Sequence, residues 1–159
     1  MHKTSGKSLF DIEKIIHLKE CSSTNDFLIN LNKNSSYKEG MVVSADFQTN
    51  GRGQRSNNWI SEKNANLTFS LLLEPKLNIS YQFYLNIISS LTIQKVLFSI
   101  LDKKIKIKWP NDIYYKNNKI AGILVENIVS NKNIQKSIIG FGINVNQRSF
   151  PISNTVSIF

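Results

Sequence analysis

Residues 51–59 combine side chains that suit an anionic ligand. These nine positions hold two glycines, two arginines and a tryptophan. Glycine lets the backbone approach a ligand closely, arginine presents a charged fork that matches carboxylate and phosphate, and tryptophan offers a flat face to a base. The run predicts a loop that closes over an anionic, nucleotide-derived ligand, although a solvated Gly/Asn turn would explain the same composition without a ligand.

Four other motifs could contribute to the same site. Ser23-Thr24-Asn25 precedes the run, and Lys108-Trp109-Pro110-Asn111-Asp112, residues 119–126 and residues 140–146 follow it. Each also has a purely structural explanation. In chain order these are a helix cap, a strand end with a turn, a solvated lysine beside a close-packed strand, and a bulge. The order of all five motifs along the chain, rather than any one of them, indicates a composite site.

The spacing of apolar residues predicts the elements that must position these motifs. A Ser23/Asp26 capping pair predicts the start of a first helix, and residues 80–101 predict a second helix that is apolar around much of its circumference. We expect that second helix to be buried on more than one side. The whole pattern predicts an α+β fold, a mixed and largely antiparallel sheet with helices packed on one face. Strands are expected at residues 13–18, 41–47, 67–73, 104–109, 120–127 and 134–139.

The five motifs together resemble the catalytic domain of biotin–protein ligases, also called biotin–[acetyl-CoA-carboxylase] ligases. The family pattern is Ser-Thr-Asn, Gln-x-x-Gly-Arg-Gly-Arg-x-Gly-Arg-x-Trp, Lys-Trp-Pro-Asn-Asp, Lys-x-Ala-Gly-Ile-Leu-x-Glu and Gly-x-Gly-Ile-Asn. The resemblance covers roughly residues 15–146 and implies the class II aminoacyl-tRNA synthetase-like fold of biotin and lipoate ligases. It implies a single catalytic domain over residues 1–159, with residues 1–12 as a loose extension and the C-terminal part of the usual domain missing.

The resemblance implies a reaction and a set of site residues. The family joins biotin to ATP, with Mg²⁺, as biotinyl-5′-AMP and then transfers biotin to a lysine of a biotin carboxyl-carrier protein. For catalysis, Lys119 matches the family lysine that neutralises the reacting carboxylate–phosphate centre, and Arg52 matches the family loop arginine that contacts biotin's carboxylate and the phosphate. Contacts to biotin are implied for Ser23, Thr24, Asn25, Gln48, Gly51, Arg52, Gly53, Gln54, Lys119, Gly122 and Gly142. Contacts to ATP are implied for Trp59, Lys108, Asn111, Asp112 and Asn144.

No motif in the sequence predicts a metal site by itself. Magnesium is expected to arrive with ATP, and Asp112 is the candidate that would touch it. The sequence also departs from the family at the loop, where Gln54 and Asn57 replace arginines and Ser56 replaces a glycine. The loss of these two positive charges predicts that the loop retains the adenylate less tightly. The alternative is that the substitutions are a lineage variant in which the loop retains the adenylate fully.

Bulk composition limits the partners and the compartment. The net charge of +9 and pI near 9.7 suit nucleic acid, an acidic protein or small anions. No uninterrupted apolar run is long enough to cross a bilayer, and the single Cys21 excludes an internal disulfide, so a cytoplasmic protein without a membrane partner is predicted. About twenty residues before Ser23 are too few for a helix-turn-helix domain, so no DNA partner is expected. A homodimer is compatible with the resemblance.

Three other functions remain open at this point. One is a lipoate–protein ligase, and another is a truncated, non-catalytic domain that binds biotin or the carrier protein. The third is a basic RNA- or DNA-binding module, which requires exposed aromatic residues among clustered basic ones. Trp59 and Trp109 both lie inside the ligase-like motifs, which favours the ligase interpretation over the third alternative.

Overall fold

The computed structural model describes residues 15–33, 38–101, 104–151 and 153–159, so the extension expected at residues 1–12 lies outside the described residues. The described part folds into eight strands and two α-helices. The helices are α1 (Thr24–Lys33) and α2 (Phe83–Ile100). The strands are β1 (Ile15–Leu18), β2 (Val42–Ala45), β3 (Asn66–Leu73), β4 (Leu77–Asn78), β5 (Ile105–Lys108), β6 (Asp112–Tyr115), β7 (Asn118–Ser130) and β8 (Asn133–Asn144).

These strands form one sheet. Its order is β1-β2-β3-β8-β7-β6-β5, and β4 pairs with the beginning of β8. Strands β1 and β2 are parallel, and the other pairs are antiparallel. The expected mixed, largely antiparallel sheet is therefore confirmed.

The two helices cover opposite faces of this sheet, which corrects the expectation that they share one face. Phe69 of β3 packs in the larger core cluster, to which α2 contributes Ile93 and Leu97. Leu72, on the opposite face of β3, packs against Leu28 of α1 in a second cluster. Side chains alternate along a strand. Buried apolar residues of β3 and β8 lie on both faces, Leu72 and Ile138 on one and Ile139 and Phe141 on the other, so each face has its own covering helix.

The β5–β7 region also differs from the prediction. The sequence predicts only a strand end and a turn at residues 109–112. In the structure an additional strand, β6, begins at Asp112 and lies between β5 and β7. Strands β6 and β7 are joined by a two-residue hairpin connection, Lys116-Asn117. Strand β8 runs through Gly140 and Gly142 with continuous pairing to both neighbours, so these glycines do not form a bulge.

Helix α2 is buried on one side only, contrary to the expectation. Its residues Leu85, Ile93 and Leu97 are buried, whereas Tyr84 and Ile88 are 54% and 61% exposed. The reason is that α2 packs on β5, β6 and β7, while no other described element covers its outer side. The segment Ile79–Ile100 is apolar and long enough to cross a membrane by length and composition alone, which the sequence inspection missed. Its packing against the sheet makes it part of the folded core.

Candidate active site

A pocket of about 280 Å³ lies on the sheet face that α1 covers. Its floor consists of Gly122, Gly140 and Gly142, and Gly122 and Gly142 are direct partners across β7 and β8. Asp112 of β6 pairs with Gly122 and therefore stands on the same face. This size is just below the range of roughly 300–1,000 Å³ that is usual for small-molecule sites.

The floor glycines make room for the Trp59 side chain. A Cβ atom at Gly142 would overlap the indole, and a Cβ atom at Gly122 would lie 3.2 Å from its Cζ3. The indole Nε1 is buried and has no hydrogen-bond partner. The family resemblance assigns this space to biotin, but in this structure Trp59 fills part of it, which explains the modest pocket volume.

Buried hydrogen bonds fix the polar end of the pocket. The backbone N and the Oγ1 of Thr24 both donate to Gln48 Oε1, at 2.8 and 3.1 Å. The hydroxyl of the fully buried Ser70 reaches Thr24 Oγ1 at 2.7 Å and also contacts Asn25 Oδ1. Asn25 lies over Gly140, where a Cβ atom would come within 2.5 Å of its Oδ1. The start of α1 is thereby held to β3, to β8 and to the segment that precedes the loop.

Arg52 is clamped between two carboxylates. Its two terminal nitrogens donate to Glu126 at 2.9 and 2.8 Å, and Nη2 also donates to Asp26 at 2.6 Å. Asn25 donates to the same Glu126 at 2.7 Å. Burial opposes the charged form of Arg52, but the hydrogen bonds and charges of Glu126 and Asp26 outweigh it and raise the guanidinium pKa above its ordinary value. The clamp ties the loop to both α1 and β7.

The loop itself is a narrow turn closed by backbone hydrogen bonds. Trp59 N donates to Gly51 O at 2.9 Å, and Gly53 N donates to Asn57 O at 2.7 Å. A single 3-10 turn, Gln54–Ser56, forms its tip. Gly51 faces the Trp59 backbone rather than the pocket, which leaves no space for a side chain there. The hairpin shape therefore fixes where Trp59 enters the pocket.

We expect Glu126→Gln to loosen this loop. The neutral amide cannot accept both Arg52 nitrogens, so the free energy of unfolding should fall by about 1–2 kcal/mol. Trypsin should cleave after Arg52 or Arg55 faster than in the unmodified chain. Urea denaturation and limited proteolysis measure the two effects. Glu62→Gln, at an exposed position, is the matched control, and equal cleavage in both variants would contradict the clamp.

Lys119 forms the second charged pair of the pocket. Its Nζ lies 2.7 Å from Asp112 Oδ1 and 5.8 Å from the centre of the Trp59 ring. Its backbone is held as well, because Lys119 N donates to Asn154 O at 2.7 Å and Val156 N donates to Lys119 O at 2.9 Å. The lysine therefore stands at a fixed position on the pocket wall.

The structure brings together most of the predicted site residues. Gly51, Lys108 and Asn144 do not line the pocket: Lys108 is exposed on β5, and the buried Asn144 donates to Val156 O at 3.2 Å. The predicted residues that do line it are Ser23, Thr24, Asn25, Gln48, Arg52, Gly53, Gln54, Trp59, Asn111, Asp112, Lys119, Gly122 and Gly142.

Sequence reasoning missed four residues of this arrangement. Glu126 ended one of the motifs but received no role, and Asp26 was interpreted only as a helix-capping residue. Ser70 lies in a strand pattern that carries no chemical signal, and Gly140 was interpreted as part of a bulge. A motif-final glutamate beside an arginine-bearing loop was the one signal that could have predicted the clamp.

Cys21 does not line the pocket. Burial, followed by the charges of Asp26 and Glu20, raises the pKa of its thiol. The protonated thiol is a poor nucleophile. This agrees with the packing role expected for an isolated cysteine.

The fold and the pocket together define an α+β domain in which a fixed lysine, an arginine-anchored loop and a tryptophan surround a glycine floor. The profile of the Biotin/lipoate A/B protein ligase family matches residues 18–144. The chain belongs to this family.

Individual relatives agree with this assignment. The chain is 35% identical over 116 residues to the bifunctional ligase/repressor BirA of Bacillus spizizenii, an alignment that covers 73% of this chain and 36% of the relative. It is 30% identical over 105 residues to the biotin–[acetyl-CoA-carboxylase] ligase of Paracoccus denitrificans, covering 65% and 43%. The structure of biotin protein ligase from Aquifex aeolicus with biotin and ATP superimposes with a TM-score of 0.74 at 36% identity, covering 90% of this chain and 58% of that one.

The chain thus spans well under half the length of these two curated relatives, 36% and 43%.

Proposed function

We propose that this chain activates biotin with ATP and transfers it to a carrier protein. In the first step a biotin carboxylate oxygen bonds to the α-phosphorus, and the bond to pyrophosphate breaks. In the second step a lysine amine of the carrier bonds to the biotinyl carbonyl carbon, the bond to AMP breaks, and the amine loses a proton. Neither step requires a side-chain nucleophile from this chain.

The observation that carries the proposal is the meeting of Lys119, Asp112 and Trp59 above the glycine floor. Joining a carboxylate to a phosphate brings two anions together, which demands a fixed positive charge at the reacting centre. Lys119 supplies that charge from a position held by its backbone and by Asp112. The aromatic face of Trp59 supplies a surface on which adenine can stack once the indole shifts from the floor.

The polar end of the pocket is suited to the ureido group of biotin. Thr24 and the half-buried Gln48 are hydrogen-bonded to each other, and the buried Ser23 hydroxyl, which accepts from Asp26 N at 3.5 Å, precedes Thr24. In this proposal Arg52 acts chiefly by anchoring the loop, because Glu126 and Asp26 already occupy its terminal nitrogens.

The pocket suits a magnesium ion that arrives with ATP. No cluster of three or more His, Cys, Asp or Glu residues in the described part of the chain could hold a metal ion. Asp112 is the one carboxylate among the pocket-lining residues, and Asn111 stands beside it. These two oxygen donors would touch a magnesium ion that ATP holds, and the ion would supply charge neutralisation at the phosphates.

Pyrophosphate release tests the first step. We expect release with biotin and ATP together, and none when either is omitted. Lipoate in place of biotin tests the related ligase class, and transfer of biotin to a carrier domain tests the second step. Binding of biotin without pyrophosphate release would support the non-catalytic alternative and overturn the proposal.

Gln54→Arg tests whether the loop departs from the family in function as well as in sequence. Gln54 lines the pocket at the loop tip. An added positive charge there should slow dissociation of biotinyl-5′-AMP about 5-fold, corresponding to roughly 1 kcal/mol for a partly exposed charged contact. Gln54→Glu should speed it. Stopped-flow dissociation of the adenylate measures both, and identical rates in all three proteins would refute the charge-loss hypothesis.

We place this activity in the cytoplasm and assign the acceptor to the biotin carboxyl-carrier class. The unpaired Cys21 is compatible with a reducing compartment, and the Paracoccus relative is named for acetyl-CoA carboxylase. The proposed single domain rests on the same resemblance, and biotin transfer by the purified chain would support it.

A further inference from the structure

The outer side of α2 carries a line of exposed side chains. Tyr84, Ile88, Leu91, Lys95 and Phe98 follow one another at alternating steps of four and three residues. The four apolar members are 39–61% exposed, and no described element packs over them. Alternating steps of three and four residues are the spacing by which one helix packs lengthwise against another. We call these five residues the α2 seam.

The α2 seam is large enough for a weak but specific interface. Tyr81, just before the helix, extends it, because its half-exposed ring is centred 6.0 Å from that of Tyr84. A fully covered aromatic side chain buries about 150–250 Å², so the three aromatic rings of this surface offer about 300 Å². The aliphatic groups of Ile88, Leu91 and Lys95 raise the area to roughly 600 Å². Two such surfaces together bury roughly 1,200 Å², above the approximately 1,000 Å² that a specific protein interface requires.

The position of Lys95 decides which kind of partner fits the seam. Lys95 is the one charged residue of α2, and it lies within the seam, between Leu91 and Phe98. On a lipid surface this position would carry the ammonium group among the acyl chains, whereas helices that lie on membranes keep their lysines on the polar face. The apolar composition of the segment Ile79–Ile100 therefore does not by itself favour a membrane.

A second copy of the chain offers a matching surface when the two helices run antiparallel. A parallel pair would set Lys95 beside Lys95 of the second copy, and like charges repel. With a two-fold axis at Leu91, each Tyr84 instead faces Phe98 of the second copy. Each Lys95 then faces Ile88 of the second copy and covers it with its aliphatic stem.

We infer that the α2 seam joins two copies of this chain as an antiparallel helix pair. The inference is independent of the proposed function, because it stands on the spacing, exposure and charge of α2. The pocket opens on the other face of the sheet, so the second copy leaves it accessible. An interface of this size predicts a dissociation constant in the micromolar range.

Sedimentation equilibrium of the full chain from about 1 to 200 μM tests the dimer. Leu91→Glu places two carboxylates at the two-fold axis and should raise the dissociation constant about 30-fold or more. Val96→Glu is the matched control, because Val96 is 47% exposed on the same helix but lies outside the seam. Its dissociation constant should equal that of the unmodified chain. A monomer at every concentration, or equal dissociation constants for the two variants, would overturn the inference.

Two substitutions at Ile88 test the antiparallel arrangement. Ile88→Glu meets Lys95 of the second copy as an opposite charge, whereas Ile88→Lys meets it as a like charge. Because the two-fold axis repeats the contact, Ile88→Lys should dimerise about 10-fold more weakly than Ile88→Glu. Both changes are made at one exposed position, so an effect of either on folding is visible by circular dichroism. Equal dissociation constants for the two variants would indicate a parallel or unrelated contact and contradict the inference.

Vesicles of phosphatidylcholine and phosphatidylserine test the competing occupant. Under the inference, the unmodified chain and Leu91→Glu should sediment with these vesicles to the same small extent. Vesicle binding that separates the dimer into monomers, or that Leu91→Glu abolishes and Val96→Glu retains, would assign the seam to a lipid surface and refute the pairing of two copies.

Discussion

Lys119→Ala is expected to lower the rate of biotinyl-5′-AMP formation about 10²–10³-fold, the usual cost of removing one group aimed at transition-state charge. The Lys119 ammonium stands beside Asp112 in the pocket, at a position that neighbouring backbone groups fix. Pyrophosphate release at saturating biotin and ATP measures the effect. Lys95→Ala, which removes the same charge from the opposite side of the sheet, should retain the full rate.

The same substitution also leaves Asp112 without its partner, so two effects must be separated. Asp112→Asn and the double variant complete a cycle in which the coupling between the two residues can be measured. We expect the double variant to remain slow, because restoring charge balance does not return the positive charge to the reacting centre. Recovery of near-normal activity in the double variant would show that Lys119 serves only to neutralise Asp112.

Gly142→Ala is expected to weaken biotin binding by about 10-fold or more, because overpacking of a close contact typically costs 1–3 kcal/mol. The added methyl group would project into the floor space that the proposed function gives to biotin, and it also cannot coexist with the Trp59 indole in its present position. Gly122→Ala adds the same methyl at a looser point, 3.2 Å from the indole, and should have the smaller effect. Titration calorimetry with biotin ranks the two variants.

Fluorescence of Trp59 provides the structural control for this prediction. The chain has two tryptophans, so the measurement requires a Trp109→Phe background. In that background Gly142→Ala should shift the emission of the displaced Trp59 toward the red, since the indole moves into water. A normal affinity for biotin together with an unshifted emission would show that the floor tolerates a side chain, and the role assigned to the glycine would be wrong.

The fold could be predicted largely from local sequence signals. Each of three elements was identified by one local signal. These signals are the alternation of apolar residues in β3, the capping pair before α1 and the spacing of apolar residues in α2. Strand β6 was missed because its four residues directly follow a Pro-Asn turn signal. The exposed outer side of α2 could not be predicted either, since a helix that is apolar on all sides carries no information about which side is covered.

The sequence by itself determined the family, the sheet class and most of the residues that line the pocket, because short motifs and strand periodicity are local properties of the chain. Only the tertiary structure decided what these residues touch. The Arg52–Glu126 clamp joins residues 74 positions apart, and the seating of Trp59 on Gly142 depends on the course of the whole loop. Such contacts follow from strand register and from the packing of helices on a particular face, which the spacing of residues along the chain does not specify.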